Sequence, residues 1–221
     1  MQHSVSLGCS WSGGKDSCFA LMQRLKDNSV LKVLINMMNE NGKISRSHGL
    51  PQYILQQQSA ALEVPLLTQP STWNDYESNF ISMLTRAKQE FGVNEMVFGD
   101  IDLQGHRDWE EKVCSAAALS CSLPLWKMDR KQLVVSMING GLESIIVSCN
   151  TVMGETFLGR TLTHDLVEEL ESLGVDVCGE NGEFHTVVVR CPLFKQRVQL
   201  PSAKKVLHES YWFLTWPDHA D

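Results

Sequence analysis

Hydrophobic and polar positions fall into short alternating blocks along most of the chain, and each block has the length of one strand or one helix. An apolar run over 5–9 is followed by a glycine turn, and then by Cys18, Phe19, Ala20, Leu21, Met22 and Leu25 at helical spacing. That predicts strand, turn and a helix over 16–26. The nearly continuous apolar run 30–37 predicts a strand covered on both faces, and 39–49 is a polar loop. A helix is expected over 51–62 with proline in its first turn, then a short strand from 65–67. Asn74 or Asp75 should cap a helix reaching 91, with Phe80, Ile81, Leu84 and Ala87 on its inner face. A strand over 95–98 ends in Gly99-Asp100. The pattern continues with a helix over 106–120 and a short strand over 123–126. A helix over 130–139, closed by Gly140-Gly141, leads into a buried strand over 144–149. The tryptophans and methionines on these helices read as core.

Strand and helix alternate from 4 to 149, which is the signature of a parallel sheet with helices on both faces. Ligands of such sheets lie beyond the carboxyl ends of the strands, where the strand order reverses. A 3-2-1-4-5 order puts the loops 12–17, 36–49 and 99–107 there. After residue 150 the pattern changes to a helix over 163–173 with Thr163 as N-cap, then strands over 183–190, 195–199 and 206–216. The chain therefore divides into a domain over 1–150 and a smaller α+β domain over 151–221, with 216–221 as a frayed tail.

Composition narrows the partners. Hydrophobic residues make up 43% and charged residues 20% of 221, and 26 acids outweigh 19 bases for a net charge of −7. An extended RNA or DNA surface is disfavoured, because phosphate backbones need a basic field. No apolar run reaches 18 residues, so no membrane span is expected, and strand one starts too early to leave room for a signal peptide. The seven cysteines include no C-x-x-C pair. A scattered, odd set reads as reduced thiols in a cytoplasmic protein rather than as zinc or iron–sulfur ligands.

The chemistry concentrates in Ser10-Trp11-Ser12-Gly13-Gly14-Lys15-Asp16-Ser17. A helix N-terminus offers unpaired N–H groups and partial positive charge to an anion. Gly13 and Gly14 allow close backbone approach, Ser12 and Ser17 add hydroxyls, and Lys15 adds a cation. The spacing is neither a Walker A loop, since Asp16 follows the lysine, nor a dinucleotide fingerprint. A second cluster, Gly179-Glu180-Asn181-Gly182-Glu183-Phe184-His185-Thr186, gathers two carboxylates, an amide, an imidazole and a hydroxyl. Asn-Gly alone would make a hairpin turn, but a turn needs none of Glu180, Glu183 and His185. Asp100 after strand four reads either as a contact to metal or ribose or as a turn residue. His48 is a substrate or phosphate contact or a plain loop histidine. Arg107 and Arg160 could each grip a carboxylate or phosphate with a bidentate fork.

SGGKDS resembles the PP-loop of the ATP pyrophosphatases. Together with GDIDLQGHRDW at 99–109, PLW at 124–126, FLGRTL at 157–162 and GENGEFHT at 179–186, it makes the chain similar to the diphthine–ammonia ligase (diphthamide synthetase) branch of those enzymes. The resemblance implies a Rossmann-like, adenine nucleotide alpha hydrolase-like domain with a small C-terminal substrate domain. It also implies amidation by ammonia of a diphthine carboxylate on elongation factor 2, with ATP cleaved to AMP and pyrophosphate and Mg²⁺ as cofactor.

On that reading Ser10, Ser12, Gly13, Gly14, Lys15, Asp16, Ser17, Asn36, Gly99 and Asp100 bind ATP. Lys15, Asp16, Glu180 and Glu183 are the catalytic candidates. His48, Arg107, Gly159, Arg160, Asn181 and His185 contact the acceptor, and Asp16 and Asp100 are candidate Mg²⁺ ligands. Asp16 reads equally as a first-turn carboxylate favoured by the helix dipole. A homodimer is compatible with the sequence. Two other readings stay open: a relative acting on a small metabolite or tRNA, and a sensor that binds ATP without turnover.

Overall fold

A computed structural model describes residues 4–26 and 28–217. Five strands form a parallel sheet: β1 (Val5–Ser10), β2 (Ser29–Met38), β3 (Leu66–Pro70), β4 (Glu95–Val97) and β5 (Ser120–Ser122), in the order β3-β2-β1-β4-β5. The expected order is therefore observed, with the reversal between β1 and β4. The intervening helices are α1 (Lys15–Arg24), α2 (Gln52–Leu62), α3 (Tyr76–Phe91) and α4 (Gln104–Ala116), followed by α5 (Arg130–Asn139).

Strand pleating divides the buried side chains. Val33, Ile35 and Met37 of β2 pack with Phe80, Met83 and Leu84 of α3 and Val113 of α4 on one face of the sheet. Leu34 and Met38 join the opposite core with Phe19 and Leu21 of α1 and Ile54 and Leu55 of α2.

The second sheet has the order β7-β6-β9-β8 and is antiparallel, built from β6 (Glu143–Asn150), β7 (Phe184–Arg190), β8 (Lys204–His208) and β9 (Tyr211–Thr215). α6 (His164–Ser172) starts at Thr163, whose hydroxyl accepts from Leu166 N–H at 3.3 Å. Here the sequence reading needs correction. The strand expected over 144–149 as a further member of the parallel sheet is β6, and it pairs antiparallel with β7 and β9. Periodicity reports burial, and a strand buried on both faces looks the same in either sheet.

Other differences have local causes. The expected strand over 123–126 is a turn, with Trp126 N–H bonded to Leu123 O at 3.1 Å; Pro124 lacks the N–H that a ladder needs. The expected strand over 195–199 is instead a clip across α2, with Lys195 N–H on Ala61 O and Gln199 N–H on Gln57 Oε1. The run 206–216 folds back as the β8–β9 hairpin at Glu209, which has φ 53. In the expected frayed tail, Trp216 Nε1 donates to Pro201 O at 3.1 Å, and residues 218–221 lie outside the described residues.

The two sheets share one core. Ile146, Val147, Val187 and Val189 of the second sheet belong to the same buried cluster as Leu7, Cys9 and Leu21. No helix among the described residues is long and apolar enough to cross a membrane. The seam between the sheets runs through the glycine turn. Val188 N–H donates to Gly13 O at 2.9 Å. Gln58, fully buried on α2, donates through Nε2 to Gly13 O (2.9 Å) and Val188 O (2.8 Å), and its Oε1 accepts from Trp11 Nε1 (2.8 Å). Gln58→Leu keeps the volume but strands the Trp11 N–H. It should cost about 2–4 kcal/mol of unfolding free energy, read as a lower urea midpoint at unchanged slope.

Candidate active site

β1 ends in an extended segment, and the chain turns through Gly13 at φ +85 into α1. A Cβ at Gly13 would sit 2.7–2.9 Å from Leu50, Leu55 and Gln58, and one at Gly14 would sit 2.2 Å from the His48 ring. Both glycines are therefore required by the packing beneath the loop as well as by its turn. Gly99, at the end of β4, comes so close to α1 that a Cβ there would lie 2.6 Å from Ser17 N. Its role is to let the β4 loop reach the first turn of α1. Within the loop, Gly14 N–H donates to Ser12 Oγ (3.2 Å), Ser12 and Ser17 hydroxyls lie 3.0 Å apart, and Lys15 N–H donates to Thr186 Oγ1 of β7 (3.1 Å).

Above this turn lies a cavity of about 730 Å³. Of the expected ATP-binding residues, Ser10, Ser12, Lys15, Asp16, Ser17, Asn36, Gly99 and Asp100 line it. Glu180, His48 and His185 line it too. Gly13 and Gly14 lie under the turn rather than on the cavity wall. Lys15 is 3% exposed, and its Nζ donates to Asp16 (2.8 and 3.0 Å) and to Cys178 O (2.5 Å). That contact ties the loop to the segment carrying Glu180. Asn36 donates to Trp11 O at 2.7 Å while its buried Oδ1 has no partner, leaving an acceptor at the carboxyl end of β2.

Several expected residues do structural work outside the cavity lining. Glu183 folds its own loop, accepting from the N–H groups of Asp176 and Asn181 and from Asn181 Nδ2. Asn181 accepts from Arg130 at 3.2 Å. Arg107 pairs with Glu111 one helical turn on and lies over Trp126. Arg160 pairs with Glu169 and lies over Phe157, and the neighbouring Gly159 takes φ +84. Arg160 has its fork filled by Glu169 (Nη1 at 2.9 Å, Nη2 at 2.5 Å), and Arg107 reaches Glu111 through Nε at 2.7 Å.

The electrostatics separate the acids. Glu180 is pushed up to about 7, chiefly by burial and by the nearby charges of Asp16 and Asp100, with Lys15 and Arg130 opposing. A carboxyl poised there can exchange a proton at neutral pH. Glu110 is 4% exposed and is pushed up to about 11 by burial and by its hydrogen bond to Asp100, so it stays protonated. His48 is pushed down to about 4 and His185 to about 3, mainly by burial, with Lys15 adding to both.

Three features were missed in the sequence. Arg130 forks onto Asp102 (2.9 and 2.9 Å) and reaches Asp176 (2.5 Å), joining the β4 loop to the loop of Glu180. Thr186 and Gln58 join β7 to the glycine turn. The third is an aromatic wall. Trp73, Tyr76, Phe80, Phe98 and Trp109 all line the cavity, with centroids 5.0–6.2 Å apart along the chain of contacts, and Arg46 lies over Trp73 at 4.6 Å. Trp109, read as core, therefore lines the cavity as well as packing against the core. Helical periodicity places a side chain on the inner face of its helix but does not tell a packed core from a cavity wall.

Among the described residues no group of three or more His, Cys, Asp or Glu could hold a metal ion. Mg²⁺ commonly takes one or two carboxylates and completes its shell with phosphate oxygens and water. Asp16 and Asp100, which line one cavity beside the glycine turn, are of the residue type that mode uses.

Comparison with known proteins agrees over both sheets. Residues 6–121 match the model for the diphthamide synthase N-terminal domain, and 129–217 match that for the diphthamide synthase C-terminal domain. A diphthine–ammonia ligase of Danio rerio is 27% identical, covering 89% of this chain and 87% of the relative. That of Mus musculus is 26% identical, covering 90% and 84%. That of Schizosaccharomyces pombe is 26% identical over 90% of this chain but only 36% of its own length. A solved structure described as a predicted subunit of tRNA methyltransferase from Methanocaldococcus jannaschii is 13% identical with a TM-score of 0.44, covering 85% of this chain and 98% of that one, too distant to argue from.

The depressed histidines make a pH prediction. The folded protein keeps both rings neutral while the unfolded chain takes up protons near pH 6.5, so their contribution is complete above about 6.5 and falls as pH drops toward 4. Glu110 and Glu180 titrate with the opposite sign, so the test is a difference. Relative to His185→Asn, the native protein should lose stability as pH falls from 6.5 to 4 and run parallel above 7, measured by urea unfolding at each pH.

Proposed function

The chain belongs to the diphthamide synthase family, and on that premise we propose that it is a carbon–nitrogen ligase that adenylates an acceptor carboxylate with ATP and then amidates it with ammonia. The observation that carries the reading is the meeting of the glycine turn and Glu180 in one cavity. Phosphate grip and proton acceptor serve two half-reactions, the first at the α-phosphorus and the second at the acyl carbon, and both act on one acceptor carboxyl group.

In the first half, a carboxylate oxygen of the acceptor attacks the α-phosphorus and the bond to the bridging oxygen breaks, so pyrophosphate leaves with the electron pair. The β,γ-phosphates lie against the first turn of α1, held by its amides and by the Ser12 and Ser17 hydroxyls. Lys15, fixed between Asp16 and Cys178 O, offsets charge that develops on the leaving group. Bound Mg²⁺, held by Asp16 and Asp100, would supply further charge neutralisation on the phosphates. Adenine lies near the carboxyl end of β2, where Asn36 Oδ1 is free to accept its amino hydrogens and the wall of Tyr76, Phe80 and Phe98 offers ring faces.

In the second half, ammonia attacks the acyl carbon, AMP leaves, and Glu180 takes the proton that nitrogen sheds. The acceptor is a diphthine residue, the substrate for which the relatives are named, carried by elongation factor 2 in the cytoplasm.

Incubation with ATP, Mg²⁺, ammonium and diphthine-bearing elongation factor 2 should yield AMP and pyrophosphate in step with amide; ADP as product would overturn the scheme. Because Glu180 must be ionised to accept a proton, kcat/KM should rise with pH through about 7 and then level off. Glu180→Gln should lower the rate about 10²-fold or more and remove that rise. A retained rise would take Glu180 out of the proton transfer.

A further inference from the structure

Ammonia must be held in a particular way. Its three N–H groups need acceptors while its lone pair stays free for the acyl carbon, so the chain must provide acceptors and no competing donor. Glu180 is one acceptor. The cavity contains another group, His48, whose hydrogen-bonding sense the structure fixes.

His48 Nδ1 lies 2.8 Å from Thr186 O. A carbonyl oxygen only accepts, so the hydrogen is on Nδ1. In a neutral ring that leaves Nε2 as a lone pair. The ring is seated on the loop itself, since His48 Cε1 is 2.2 Å from where a Cβ on Gly14 would be. His185, one residue before Thr186, lies against it with centroids 4.7 Å apart and planes tilted by 37°. Both line the cavity beside Lys15, Asp16 and Glu180. Burial and the Lys15 charge keep both rings neutral; an imidazolium would offer only donors.

From this geometry we infer that the His48–His185 pair forms the ammonia subsite, with His48 Nε2, oriented through its Nδ1 bond to Thr186, accepting an N–H of ammonia so that the nitrogen lone pair faces the acyl carbon. The inference rests on the amidation reading above. Ammonium gives one proton to Glu180, which passes it to solvent. Nitrogen then forms its bond to carbon as the carbon–oxygen bond to AMP breaks, AMP leaves with that electron pair, and the proton shed by the new amide nitrogen leaves through the same carboxylate.

The test separates the half-reactions. ATP–pyrophosphate exchange with the diphthine-bearing acceptor, without ammonium, reports adenylation alone; its absence in the native protein would defeat the amidation reading and not this inference in particular. His48→Asn retains a donor that can reach Thr186 O but loses the Nε2 acceptor, whereas the His48→Gln amide can restore an acceptor near that position. His185→Asn leaves the His48–Thr186 bond in place and serves if His48→Asn fails to fold. The expected result is a rise of about tenfold or more in KM for ammonium, the scale of one lost hydrogen bond, with exchange changed less than about threefold. His48→Gln should recover part of the loss. An unchanged ammonium KM in both Asn variants, or a rise in the KM for acceptor or ATP instead, would overturn the assignment.

Discussion

Everything at the site depends on the hold of β7 upon the glycine turn. Gly13 gives its carbonyl to both Val188 N–H and Gln58 Nε2, and Lys15 gives its amide hydrogen to Thr186 Oγ1. These bonds are buried, so breaking one leaves a polar group without water to replace its partner. They also cross from one sheet to the other. The glycine turn and the strand that carries His185 and Thr186 are thus a single structural unit, and Lys15 extends it by reaching Cys178 O ahead of Glu180.

This arrangement explains the spread of charge in the cavity. Asp16, Asp100 and Glu180 line one cavity with the buried Lys15. Glu180 is pushed up to about 7, first by burial and then by the charge of Asp16, with Asp100 adding and Lys15 and Arg130 opposing. Asp16 keeps Lys15 at 2.8 Å, and Asp100 lies 2.6 Å from His106 Nδ1. Position therefore gives three chemically similar groups different surroundings.

Much of this was legible in the sequence. The strand order and the glycine turn between β1 and α1 follow from spacing and residue type, because a sheet covered on both faces and a glycine turn before a helix each leave a local pattern. Individual roles inside 179–186 were not legible. Glu180 and Glu183 are equivalent on paper, and only the fold turns one into the cavity and the other back onto the Asp176 and Asn181 amides. Gln58 and Arg130 were invisible for a related reason. Their partners lie far along the chain, and a glutamine on a helix or an arginine at a helix start carries no local signal of a distant bond. The strand over 144–149 was misassigned because hydrophobicity does not encode the direction of a neighbour.

The shared core has a consequence for how such chains can be recombined. Ile146, Val187 and Val189 fill the same interior as Leu7 and Leu21, and the second sheet has no separate interior that would travel with it. A chimera that exchanged the C-terminal half between relatives at a linker would carry mismatched halves of one packed volume. Transplanting acceptor specificity by cassette would require moving the α2 face around Gln58 and the glycine turn together with the incoming sheet.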